Sequence, residues 1–175
     1  PEVYESFSDG IGQGNLDEEL SYLRPYDGLL PKIRGNSGGL LTNVERLAAR
    51  FTNERTLVGY ISHKTGKGHN DFSKPRAEYV SPAMDRVRWQ KPVVVLVNRS
   101  CFSAANTFVR DMKQMPHAVI MGDSTGGGSG MPFSSELPNG WGVRFSACPM
   151  YNSDRQSTAL GTAPEYNVQI TAHDM

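Results

Sequence analysis

Cysteine, histidine and an excess of either charge are all scarce in this chain, and each shortage removes a class of function. Two cysteines occur in 175 residues, Cys101 and Cys148, and they do not form the C-x-x-C pair of thiolate metal sites and redox motifs. Two buried thiols are expected, with a disulfide between them left open. The four histidines, His63, His69, His117 and His173, show no H-x-x-x-H or H-x-x-E pairing, so no metal site is expected. His63 and His69, near Asp71, come closest to a cluster and read as solvated loop side chains. Eighteen basic residues balance 18 acidic ones without a run of one sign, which argues against a nucleic-acid or anionic-membrane partner. No apolar run approaches the roughly 18 residues of a membrane span, and the opening PEVYESFSDG has neither an initiator methionine nor a signal-like apolar region. It reads as part of something longer, and a small molecule or peptide is the expected partner. Lysine is missing after Lys113, so the loop GDSTGGGSG (122–130) lacks the cation a phosphate loop needs. The following MPFSSEL, with its proline and two serines, is not the helix that a dinucleotide fingerprint requires. No cofactor is expected.

What remains reads as one layered α/β domain over residues 1–175, with helices set between largely parallel strands. Asn15 is expected to cap a helix in which Leu16, Leu20 and Leu23 recur at helical spacing, with Asp17 and Glu18 near its positive end. YDGLLPKIRGN reads as a strand that Pro31 makes an edge or irregular. TNVERLAARF, with Val44, Leu47, Ala48 and Phe51 on one face, reads as a helix, and TLVGYIS as a strand; in this order they predict a parallel βαβ unit. The segment 63–90 is polar and aperiodic and reads as a long excursion. PVVVLVN, SAANTFVRDM and HAVIMG follow as strand, helix and strand; the Asn139-Gly140 step marks a hairpin, and APEYNVQITA is a last short strand.

Two serines compete as nucleophiles. Ser37 lies in a G-x-S-x-G pattern, but Leu40, Leu41 and Thr42 intervene before the helix, where a nucleophile elbow needs the helix at once. Chain order would then require His173, close to the end. Ser103 follows PVVVLVN and opens a helix, at the carboxyl end of a strand where α/β folds place their sites. Backbone N–H groups from Ala104 onward could stabilise an oxyanion. Its alternative role is a plain N-cap.

IRGNSGG, NRSCFSAANTF, GDSTGGGSG, ELPNGW and the closing Gly161-x-x-Pro164-Glu165, in this order, resemble the tail-specific, C-terminal processing and tricorn-like serine peptidases. The resemblance implies a crotonase-like (ClpP-like) β/α superhelical core with a largely parallel sheet. It implies a serine endopeptidase with Ser103 as nucleophile, Gly38, Gly39 and Ala104 at the oxyanion hole, and an acyl-enzyme intermediate. Peptide or protein substrates follow, as does a bacterial envelope or periplasmic location. Ser37 becomes a bystander. The base lysine of Ser–Lys members falls on Gly128, so the chain is nearer the tricorn-like branch, whose base is a histidine from an N-terminal segment. That segment of the same protein is then an expected partner. Within this chain His63, His69 or Lys32 would have to serve. Thr158, Ala159 and Leu160 stand where the branch tends to carry a glutamate, and no PDZ-like module is recognisable. An inactive peptide-binding relative is the alternative.

Overall fold

The computed structural model describes Phe7 and residues 13–168, and side chains from Leu16 onward. His173 and the end of the expected last strand lie outside the described residues. Three helices appear among the described residues: α1 (Gln13–Leu23), α2 (Leu41–Ala48) and α3 (Ala104–Met112). The strands among the described residues are β1 (Thr56–Ile61), β2 (Arg76–Val80), β3 (Val93–Val97), β4 (Ala118–Gly122), β5 (Pro132–Glu136), β6 (Gly142–Ser146), β7 (Met150–Tyr151) and β8 (Tyr166–Asn167).

Every residue of α3 is buried. The helix is amphipathic in sequence yet enclosed all round, because β1 and α2 cover one flank and β4 another. Phe108 at its centre is fully buried and packs on Phe7, ring centroids 5.6 Å apart. Truncating such a side chain to alanine costs about 3–5 kcal/mol.

β3, β4 and β8 form a parallel sheet in that order. Residues 28–33 run beside β3 through isolated parallel bridges, Leu29 to Val93 and Lys32 to Leu96. The N–H groups of Val94 and Leu96 donate to the carbonyls of Leu29 and Pro31, both at 2.9 Å. Pro31 has no N–H to return, and this edge stays irregular, as its sequence suggests.

The largely parallel sheet is corrected. β1 is antiparallel to both β2 and β7, and β5 and β6 are an antiparallel hairpin, so the architecture is mixed α/β. The expected βαβ unit does not form, since β1 enters a different sheet from residues 28–33. Gly59 shows why: a Cβ there would lie 2.2 Å from the Tyr151 carbonyl oxygen and 3.0 Å from Arg110 Nη1, so the bare backbone lets β1 press onto β7 and α3. β2 arises inside the polar excursion, where Arg76 and Glu78 alternate with Ala77 and Tyr79.

α1 begins at Gln13, so Asn15 lies inside it rather than capping it. Leu16, Leu20 and Leu23 are buried as their spacing predicts. Asp17 serves tertiary structure instead of the helix end. It pairs with the fully buried Arg50, lies 3.1 Å from Arg86, and accepts the Val87 N–H at 3.0 Å. The Arg50 hydrogen bond holds its carboxyl at about 2, below the ordinary 3.8, and outweighs the opposing effect of burial. The folded state therefore releases this proton more readily than the unfolded chain, so the stabilisation is complete above pH 3.8 and fades as pH falls towards 2. Asp17→Asn should flatten that acid limb in urea titrations, and at neutral pH it should cost on the order of 3 kcal/mol by uncovering a buried guanidinium.

Candidate active site

Ser103 sits between β3 and α3 with φ 55° and ψ −119°. A side chain in this region is strained by about 1–3 kcal/mol and persists only where its surroundings enforce it. Three hydrogen bonds do so. Phe102 N–H donates to the Asn36 carbonyl at 3.0 Å, Ser103 N–H to the Gly127 carbonyl at 2.7 Å, and Gly126 N–H to the Cys101 carbonyl at 2.7 Å. The 101–103 segment is thus clamped between the turn at 33–39 and the glycine loop at 122–130.

Ser103 occupies the N-cap position of α3 without capping it. Its side chain makes no cap hydrogen bond, and its half-buried hydroxyl has no partner among the described residues. A capping serine would sit in extended backbone and bond the second or third helical N–H.

The glycine turn lies against this serine. A Cβ on Gly38 would come within 2.7 Å of the Phe102 carbonyl oxygen, 2.8 Å of Ser103 Cβ and 2.9 Å of Ala104 N, and its φ is +106°. Only glycine fits there. The Gly38 N–H, however, is spent, because it donates to Asn36 Oδ1 at 2.9 Å. The N–H groups of Gly39 and Ala104 donate to no described residue. Of the three expected donors, Gly39 and Ala104 thus keep unpaired N–H groups, and Gly38 permits the close approach. Asn36, buried, holds both turns, through its side chain to Gly38 and through its carbonyl to Phe102. Its place within IRGNSGG carries no sequence signal of that role.

Beside Ser103 opens a cavity of about 350 Å³, walled by Gly39, Leu40, Leu41, Met131, Pro132 and Met150, with Thr42, Thr107 and Ser129 as its polar lining. No charged side chain lines it among the described residues. Ser129 belongs to a buried network in which Asn106 Nδ2 donates to Ser129 Oγ at 2.6 Å, while the hydroxyls of Thr125 and Thr162 donate to Asn106 Oδ1 at 2.5 and 3.0 Å. This network ties the glycine loop to α3 and to Thr162, just after Gly161. Sequence reading missed it, since three hydroxyls and an amide far apart in sequence carry no spacing signal.

The three internal base candidates are not brought to Ser103. None lines its cavity among the described residues. Lys32 is exposed on the irregular edge beside β3. His69 is exposed in the 64–72 loop, where its carbonyl accepts from Lys64 Nζ at 3.2 Å. His63 Nδ1 lies 3.4 Å from Cys148 Sγ, a buried thiol whose pKa is raised by burial. Gly128 admits no base, because with φ +74° a Cβ would fall 2.1 Å from Phe102 Cζ. Ser37 is exposed, four residues before α2, and does not line the cavity. Both cysteines are free; Cys101 Sγ donates to the Ile33 carbonyl at 3.0 Å, and burial pushes its pKa up, so it acts as a structural thiol.

Residues 3–168 match the model of peptidase family S41. The chain belongs to that family. It superposes on a candidate peptidase from Parabacteroides merdae ATCC 43184 with a TM-score of 0.92 and 50% identity, covering 98% of this chain and 54% of that one. Mature CPAF matches with a TM-score of 0.84 at 16% identity over 97% of this chain and 46% of that one. The photosystem II D1 C-terminal processing protease matches at 0.70 and 21% identity, over 94% and 41%. An uncharacterized protein of Chlamydia muridarum (strain MoPn / Nigg) is 30% identical over 94 residues, 51% of this chain and 16% of that one. The chain thus spans about half the Parabacteroides protein and a sixth of the chlamydial one. The resemblance to C-terminal processing and tricorn-like peptidases is met; Ser103 and the glycine turn occupy one site in an S41 fold.

Proposed function

We propose that this chain is the serine-bearing core of an S41 endopeptidase that forms an acyl-enzyme on Ser103. The observation that carries the reading is the strained, unpartnered serine placed against two unpaired N–H groups. In the step proposed, Ser103 Oγ attacks the peptide carbonyl carbon while a base takes the hydroxyl proton. The oxygen that becomes negative is held by the N–H groups of Gly39 and Ala104, the latter at the positive end of α3. The base returns its proton to the leaving amine, and water then hydrolyses the ester. The uncharged cavity suits an apolar side chain of the substrate next to the scissile bond. With Lys32, His63 and His69 elsewhere, the base comes from polypeptide outside this chain.

That same observation favours a second reading, a peptide-binding relative that keeps the cleft and lacks the base. Fluorophosphonate labelling of a longer polypeptide containing this segment separates the two. Adduct mapped to Ser103 and lost in Ser103→Ala is the result expected of the peptidase. No labelling would favour the binder, and labelling that survives Ser103→Ala but not Ser37→Ala would transfer the chemistry to Ser37.

A further inference from the structure

A second cavity, larger than the one at Ser103, lies elsewhere in the fold. It measures about 590 Å³ and lies beneath α1, enclosed by Leu16, Leu20 and Leu23 on one side and by Leu29, Phe51 and Phe108 on the other. This volume falls in the range of small-molecule sites, which pair an apolar lining with a few placed polar groups. Arg34 is such a group. It lines the cavity, its Nε is buried without a hydrogen-bond partner, and its guanidinium makes no hydrogen bond or ion pair with any described residue. Lys32 and Glu19 also reach the lining, and each has an interaction of its own. An unpaired buried donor on a cation is costly, and an arriving carboxylate would relieve it with a charge-assisted bond. A peptide fits this space poorly, because its amides would meet almost nothing but hydrocarbon.

We propose that this cavity binds a linear acyl carboxylate, its chain among Leu16, Leu20, Leu23 and Phe51 and its carboxylate on Arg34. The site is distinct from the Ser103 cleft but connected to it. Ile33 and Arg34 open the turn in which Asn36 positions Gly38 and Phe102, so occupancy at Arg34 bears on the backbone that shapes the oxyanion site.

Calorimetry on a longer polypeptide containing this segment, with dodecanoate, dodecanol and an apolar heptapeptide, tests this without reference to catalysis. Dodecanoate should bind saturably and about tenfold more tightly than dodecanol, a difference of about 1.4 kcal/mol. Arg34→Gln should erase that difference while leaving dodecanol unchanged, and Leu20→Trp, which fills the cavity, should abolish both. Leu23→Phe serves if Leu20→Trp does not fold. Equal binding of acid and alcohol, an unchanged preference in Arg34→Gln, binding that survives a folded cavity-filling variant, or tighter binding of the heptapeptide would overturn the proposal. Failure of Ser103 labelling would leave it intact.

Discussion

Gly38→Ala should lower the rate of fluorophosphonate labelling at Ser103 by a hundredfold or more and destabilise the fold by about 1–3 kcal/mol. The cause is local geometry. The new methyl would sit 2.7–2.9 Å from the Phe102 carbonyl, Ser103 Cβ and Ala104 N, two of which are main-chain atoms that cannot swing aside. Relief requires moving the backbone that carries both the Ser103 hydroxyl and the unpaired Ala104 N–H. Gly35→Ala is the matched control. Gly35 also has positive φ, +83°, but nothing lies within 4 Å of its would-be Cβ. That variant should lose about 1 kcal/mol of stability and keep its labelling rate, measured by denaturant titration and labelling kinetics side by side.

The second large effect is expected at the other end of α3. Arg110, 2% exposed, lies 2.7 Å from Glu78 Oε2 and 2.8 Å from Asp111 Oδ1, and Asp111 is itself buried. Arg110→Ala strands two carboxylates and should cost about 3–5 kcal/mol near neutral pH. The loss should depend on pH in a definite direction. Burial already raises the Asp111 carboxyl from 3.8 to about 6 against the pull of Arg110. Between those values the folded state binds more protons than the unfolded one, so this group's contribution to stability falls as pH rises through 4 to 6. Without Arg110 the carboxyl rises further and the fall extends to higher pH. The variant should therefore lie nearer the wild type at pH 4–5 than at pH 7–8, as urea unfolding at both pH values would show.

Sequence made the local pieces of this molecule legible and left much of their assembly hidden. Leu16, Leu20 and Leu23, and Val44, Leu47 and Ala48, are buried as their periodicity requires, since a helix face is fixed by spacing alone, whereas α2 ends at Ala48 and Phe51 is buried from the turn beyond it. The strand–helix–strand order at 28–61 misled because order does not say which sheet a strand joins; Gly59, Tyr151 and Arg110 decide that through contacts far apart in sequence. β2 was hidden by its exposure, for a strand with little burial has little apolar signal. At the site, residue types pointed to Ser103 and the glycine turn, which the fold places side by side. They could not show that the Gly38 N–H is consumed by Asn36 or that Ser103 leaves α3 uncapped, because both depend on backbone angles that the residue types leave open.

In the proposed reaction, the 33–39 turn and the start of α3 meet around one negative oxygen. A crystal structure of a longer polypeptide inactivated with a peptidyl boronic acid tests it most directly. A tetrahedral boron bonded to Ser103 Oγ is expected, with one boronate oxygen about 2.7–3.1 Å from the N–H groups of both Gly39 and Ala104. Boron bonded to another residue, or a Ser103 adduct whose oxygens turn away from both amides, would contradict it.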